Sequence, residues 1–489
     1  MTVLAHTTRL TSADCVAVTI SVSADGVRST SAPKDLAAFV LDAANRLAFD
    51  GAHDSVIVVP APTATRFTTL VLVGLPTTNG AVDQLRYAAG FATRAAKGSL
   101  ALVFPTSNSS DATQVAEGAA LAAIPAFTRK SSEQVAGVTK ITVVSPHSPD
   151  IAAVRASRDA VKIVRDLVTE APNHLSPDEL AKRVVADAAK FPVTVTVFDE
   201  KKLAKGGFGG IVGVGQGSSR PPRMVVVKYS PRGARGHVAL VGKGITFDTG
   251  GLSLKPAAGM IGMKYDMTGA ATAYAVVRAA AQRKLKVAVT AWLCIAENMP
   301  SGTATRPNDV LVIRGGKTVE VTNTDAEGRI VLADGIVAAS ETNPDVIIDI
   351  ATLTGSARVA LGDRITAVMG DSAVAQEIGD AAARSGDETW TMPLPGYLRP
   401  ILASDVADIA NAKIGHTAAG MLIGGIFLKE FVGNKPDGSP IPWAHLDIAG
   451  PANNAGAPYG YTPKGATGVM VRTLVEFLVA RESSASDKR

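Results

Sequence analysis

Apolar residues along the first third of the chain come in short β-branched runs separated by helical patterns. "SVIVVP" (55–60) and "TTLVLVGL" (68–75) read as strands, each bounded by Pro or Gly. "VDQLRYAAGFATRAAK" spaces its apolar residues as a helix does, and "SLALVF", "DATQVAEGAALAAI" and "KITVVS" continue the alternation. "PHSPD" (146–150) punctuates it, and a long helical pattern, "IAAVRASRDAVKIVRDLVTEAP", follows. A second alternation then begins. "SPDELAKRVVADAAK" opens a helix with Ser176 as N-cap, Pro177 at the first position and acids in the first turn. "VTVTVF", "MVVVKY", "HVALVG", "KVAVTAWLCIA", "DVIIDIA", "RITAVMG" and "WAHLDIAG" read as strands. "GAATAYAVVRAAAQRKL", "RIVLADGIVAAS" and "GVMVRTLVEFLVARE" read as helices, and the tail "SSASDKR" as a frayed end. Continuous Val/Ile/Leu strands alternating with helices predict an α/β fold. The expected division is a smaller α/β domain over 1–150, a connecting helix over 151–170 and a larger domain over 171–489. The larger domain is expected to hold a mostly parallel sheet with helices on both faces. No internal repeat is visible.

Bulk composition narrows the class without choosing a function. At 489 residues, 46% of them hydrophobic, the chain supports two or three cores. A net charge of +5 and a pI near 9.1 come from scattered lysines and arginines rather than a basic stripe, so nucleic acid is not indicated. Two cysteines, Cys15 and Cys294, exclude a disulfide framework and a cysteine-based zinc site, and fit a reducing compartment. The N-terminal stretch has no secretory pattern, and "AAGMLIGGIFLKEFVG" is too short to span a bilayer and holds Lys429 and Glu430. A cytoplasmic protein without membrane contact is the expectation.

Three loops of the larger domain carry the candidate chemistry. "VGKGITFDTGGLSLKP" leaves a strand and holds Lys243, Asp248 and Lys255 among glycines. "MKYDMTGA" sets Asp266 just before a helix, and "NTDAEGR" holds Asp325, Glu327 and Arg329. In open α/β sheets, reactive groups collect where strands end. Four carboxylates converging in one cleft would repel unless protonated or bound to cations, and two divalent ions would balance them. Each residue alone has a plainer reading: an Asp in a glycine-rich loop forms turns, a lysine is solvated, and Asp-Ala-Glu can be first-turn acids. Three acid-bearing loops at three junctions favour the metal reading. Other motifs fail. "VGKG" lacks phosphate-loop spacing, "GVGQGSS" is a poor dinucleotide fingerprint, and there is no HExxH or GxSxG. His445 reads as a packed strand residue.

Taken together, "VGKGITFDTGG", "SLKP", "MKYDM", "NTDAEGR", "DIATLTG" and "WAHLDIAG" resemble, in order and spacing, the leucyl aminopeptidase family of two-metal exopeptidases. The resemblance runs from "TEAPN" to "GVMVRTLVEFL"; the first domain carries no matching motif. It implies that Asp248 and Glu327 bridge two divalent ions, Mn or Zn, with Mg or Co as alternatives. Lys243 and Asp266 would complete one site and Asp325 the other. Lys255 would polarise the scissile carbonyl and Arg329 would hold bicarbonate as general base. Met263 would border the first side-chain pocket, while Thr352, Leu353 and Gly355, in "TLTG", would meet the substrate backbone. The implied activity releases N-terminal residues, leucine and other apolar ones preferred, from peptides with a free N-terminus, by attack of a metal-bridging hydroxide. The implied assembly is a homohexamer. One departure stands out: Asn308 occupies a position where the family has Gly, and Asn tolerates the left-handed backbone such a turn needs. Two other classes are separable by assay. A DNA-binding protein on this scaffold would give a salt-dependent gel shift. A two-metal phosphoesterase would cleave aryl phosphate in place of amino-acyl anilide.

Overall fold

The computed structural model describes the chain except residues 1, 24, 25, 27, 76–83, 133–136 and 485–489. The start of the helix expected from residue 82 and most of the expected frayed tail thus lie outside the described residues. The chain divides into two compact units, Met1–Asp159 with Asn454–Lys464, and Ala160–Asn453 with Gly465–Arg489. The division falls within the helix Ile151–Thr169. That Asn454–Lys464 returns to the first unit has no counterpart in the sequence pattern.

In the first unit, six strands run in the order Val3–Thr7, Val138–Val144, Gly98–Val103, Cys15–Val22, Thr69–Gly74, Val56–Pro60, and Arg28–Thr30 pairs with Cys15–Val22. Alternation along Cys15–Val22 divides two cores. Val16, Val18 and Ile20 pack with Leu36, Val40 and Ala44 of the helix Lys34–Arg46. Cys15 and Ala17 pack on the other side with Ala88 and Ala89, and with Val115 and Ala116.

The second unit is built on an eight-stranded sheet. From edge to edge its strands are Glu388–Thr391, Ile365–Gly370, Trp443–Asp447, Val346–Ala351, His237–Asp248, Ala288–Asn298, Arg223–Tyr229 and Thr194–Phe198. The four central strands pair in parallel. Antiparallel pairings join Ile365–Gly370 on one side and Arg223–Tyr229 and Thr194–Phe198 on the other. Helices cover both faces, which is why the central strands are buried almost throughout and mostly apolar. A Cβ on Gly242 would meet Ala270 of the helix Thr268–Arg283, whereas one on Gly335, in the helix Glu327–Ser340, would meet Val241 and Cys294. Gly242 and Val241 point to opposite faces of one strand, so the two helices lie on opposite sides.

Local signals are honoured. The Ser176 side chain accepts from the Glu179 N–H at 3.3 Å, and Pro177 opens the helix Pro177–Ala188. Asn308 adopts a φ of 76°, the left-handed backbone that Asn tolerates better than most residues. Among the described residues, no helix is long and apolar enough to cross a membrane.

Candidate metal centre

The site forms where the four parallel strands end. Asp248, Asn298 and Asp447 are the last residues of their strands, and Thr352 follows the fourth directly. Asp266 lies in a 3₁₀ turn, Met263–Met267, just ahead of the helix Thr268–Arg283. Glu327 is the first residue of the helix Glu327–Ser340, and Asp325 sits two residues before it. Ligand oxygens of Asp248, Asp325 and Glu327 lie within 4.8 Å of one another.

Both lysines point into this group. Lys243, 3% exposed, sets its Nζ 2.8 Å from Asp266 Oδ1 and from Glu327 Oε1, and 3.1 Å from the Thr352 carbonyl. Gly328 makes room for it: a Cβ there would lie 2.5 Å from Lys243 Cε. Lys255 Nζ is 2.8 Å from Asp248 Oδ2 and also pairs with Asp325. Asp248 Oδ1 accepts from the Gly250 N–H and from Asn298 Nδ2, each at 2.8 Å. Thr352 Oγ1 donates to Asp266 Oδ1 at 2.7 Å.

Four carboxylates therefore face two ammonium groups, and negative charge is in excess. Burial, with repulsion from Asp248 and Glu327, raises Asp266 to about 8 against the pull of Lys243. The same causes raise Asp325 to about 6 against Lys255. Burial works to lower both lysines, yet the acids around them hold both above the ordinary lysine range. Glu327 is held low because Lys243 and Lys255 outweigh its burial. Its second oxygen, Oε2, is buried without a hydrogen-bond partner. A four-carboxylate cluster with surplus negative charge and an orphaned carboxylate oxygen fits divalent cations.

Arg329 lies half a turn beyond Glu327, 8% exposed, with Nη1 donating to the Asn411 carbonyl at 2.7 Å. Its Nε is buried and unpartnered, and burial lowers the guanidinium to about 10. Of the other residues read from sequence, Thr352 joins the acids. Met263 opens the Asp266 turn, half-buried. The Leu353 N–H is bound to Asp447 Oδ1 at 3.1 Å, and Gly355 starts the helix Gly355–Leu361. The structure ties none of these three side chains to Asp248, Asp266, Asp325 or Glu327 by a side-chain hydrogen bond or ion pair. His445 is a packed strand residue, fully buried with Nδ1 2.5 Å from Asp349 Oδ1.

The model of the cytosol aminopeptidase family's catalytic domain matches residues 162–475. The chain belongs to the cytosol aminopeptidase family. It is a metal-dependent aminopeptidase, a hydrolase of peptides. A probable cytosol aminopeptidase of Leifsonia xyli subsp. xyli is 55% identical over 439 residues, covering 87% of this chain and 88% of that protein. One of Clavibacter michiganensis subsp. michiganensis is 52% identical over 481 residues, 95% of each. Among solved structures, the aminopeptidase resembles the bottromycin maturation enzyme BotP in complex with Mn, with TM-score 0.83 and 35% identity over 96% of this chain and 100% of that one. The cytosol aminopeptidase from Coxiella burnetii aligns with TM-score 0.80 at 28% identity, over 97% and 99%.

Sequence reasoning overlooked three residues that bond into this aminopeptidase's candidate site: Asn298, Asp447 and Asn411. Asn298 and Asp447 carry a signal, a polar residue closing an otherwise apolar strand. Asp447 anchors the loop after the neighbouring strand, taking the Leu353 N–H and the Thr354 hydroxyl. Asn411 carries none, since its partners lie more than eighty residues away.

Proposed function

We propose that the enzyme removes leucine and other apolar residues from the N-termini of peptides, using two divalent ions. The observation that carries this reading is the convergence of Asp248, Asp325 and Glu327 within 4.8 Å, with Lys255 Nζ among them. Asp248 and Glu327 would be shared by both ions, Asp266 and Lys243 would complete one site, the Lys243 ammonium giving up a proton as the ion displaces it, and Asp325 would complete the other. When bound, the ions would supply an activated water, a Lewis acid at the scissile carbonyl and an anchor for the free α-amine. Lys255 would donate to the carbonyl oxygen as charge builds there. Arg329 would hold bicarbonate through its unpartnered Nε, setting a proton acceptor beside the water. Thr352, Leu353 and Gly355 would meet the substrate backbone, and Met263 would border the side-chain pocket. The Mn complex of BotP supports Mn, and Zn is the alternative. We further propose a cytoplasmic homohexamer in which 171–489 is the catalytic domain and 1–150 serves assembly.

Hydrolysis of leucine p-nitroanilide and its Nα-acetyl derivative tests the reading. The free amine should be cleaved and the acetylated form spared. Equal cleavage of both would show that the amine has no role in binding.

A further inference from the structure

Asn411 bonds both to the loop carrying Asp325 and Glu327 and to Arg329, and it is fully buried. It follows a short strand, Ile409–Ala410, that pairs in parallel with Thr318–Glu320, and its own N–H continues the ladder to the Glu320 carbonyl at 2.9 Å. Beyond Glu320 the backbone partner gives way to the side chain. Asn411 Oδ1 accepts from the Thr322 N–H at 2.8 Å, the Asn323 N–H at 3.2 Å and the Thr322 hydroxyl at 3.2 Å. Its Nδ2 donates to the Asn323 carbonyl at 2.6 Å and, more weakly, to Ala326 at 3.4 Å. The main-chain carbonyl of the same residue takes Arg329 Nη1. One side chain therefore stands in for a strand along a segment that must leave the sheet to present its acids.

A second clamp holds the loop from the other side, without reaching Arg329. Thr324 Oγ1 donates to the Gly250 carbonyl at 2.6 Å, Ser253 bonds to Thr324 in both directions, and Asn298 Nδ2 reaches the Thr324 carbonyl at 3.1 Å. Those bonds fix the acids against the Asp248 loop. They do not fix the guanidinium against the acids.

We propose that Asn411 is a positioning residue, setting the metal-binding loop and the guanidinium of Arg329 in one register. It touches no reacting atom. It acts through Asp325, Glu327 and Arg329, and the inference rests on the metal and bicarbonate roles proposed above. Loss of the amide frees the loop from one side and releases the backbone that positions Arg329. Supports of this kind are worth about 10–100-fold in metal affinity or activity.

The test uses the full chain and three variants. Asn411→Ala removes every side-chain tie. Asn411→Asp is nearly isosteric, keeps an acceptor and loses the Nδ2 donor, so it carries the test if the alanine variant does not fold. Asp408→Ala is the control: it loosens the same strand pairing, where Asp408 Oδ2 accepts from the Thr318 N–H and hydroxyl at 2.8 Å, without touching the acid loop. Three quantities are read: Mn²⁺ affinity by calorimetry on chelator-stripped protein, Tm, and kcat and KM with and without bicarbonate. Both Asn411 variants should bind Mn²⁺ about 10–100-fold more weakly. They should also lose most of the bicarbonate response, with kcat changing far more than KM. Asp408→Ala should lower Tm alone. If the Asn411 variants lose Tm but keep native Mn²⁺ affinity and bicarbonate response, the residue is merely structural and the proposal is overturned. If the native protein itself binds no Mn²⁺ or ignores bicarbonate, the underlying functional reading falls and the positioning role falls with it.

Discussion

Lys255→Ala separates binding from chemistry most cleanly, because the sign of the electrostatic effect opposes the sign of the catalytic one. The ammonium lies 2.8 Å from Asp248 Oδ2, pairs with Asp325, and is mostly shielded from solvent, at 16% side-chain exposure. Removing it leaves four carboxylates facing Lys243 alone. Near a protein surface, unit charges about 4 Å apart interact by roughly 4 kcal/mol. Taking one positive charge away should therefore leave divalent-cation affinity equal or higher. Chemistry should move the other way. Loss of a donor aimed at a developing oxyanion costs about 10²–10³ in kcat, or about 2.7–4 kcal/mol. Lys243→Ala should behave differently, because Lys243 bonds directly to Asp266 and Glu327 and is proposed to complete one ion site. It should lose metal first and activity as a consequence. The assay combines Mn²⁺ titration of stripped protein with steady-state hydrolysis of leucine p-nitroanilide at saturating metal. Near-native kcat in Lys255→Ala, or metal loss in Lys255→Ala with retention in Lys243→Ala, would refute the assignment of roles.

Three further outcomes are expected. Asp325→Asn and Glu327→Gln should nearly abolish activity and lose one ion while circular dichroism stays native; normal turnover with both ions bound would contradict the ligand assignment. Arg329→Ala should lower kcat by about 10²–10⁴-fold, and added bicarbonate should raise native activity in carbonate-depleted buffer but leave the variant little changed. An equal response in both would remove the anchoring role. Gly269→Ala should destabilise the fold by about 1–3 kcal/mol or more, because its Cβ would lie 2.0 Å from the Ile350 carbonyl. An unchanged urea midpoint would mean that the helix Thr268–Arg283 shifts freely on the sheet.

The legible parts of this chain are those whose signal is local. "HVALVG" and "DVIIDIA" read as buried strands because both faces are covered, and Ser176-Pro177 marks a helix start because capping is a matter of four residues. The strand His237–Asp248 runs six residues past the apolar run, since Lys243 and Asp248 are polar yet buried for the site's sake. Cys15–Val22, with partners on both sides in the first sheet, escapes the pattern reading that begins at residue 55, although its burial is almost complete. The acids announce themselves by lying in motifs at strand and helix ends. Asn411 does not, because what distinguishes it is a set of bonds across the fold, and a lone Asn in "DIANAK" looks like any turn residue.

The claim that two divalent ions make this chain an aminopeptidase is tested most directly by metal content and activity measured on the same sample. Protein stripped by chelator should hydrolyse leucine p-nitroanilide no faster than buffer. Restoring Mn²⁺, and separately Zn²⁺, Mg²⁺ and Co²⁺, should recover activity with at least one ion as occupancy approaches two per chain. Full activity in protein carrying only traces of metal, or full recovery complete at a single ion, would contradict the account.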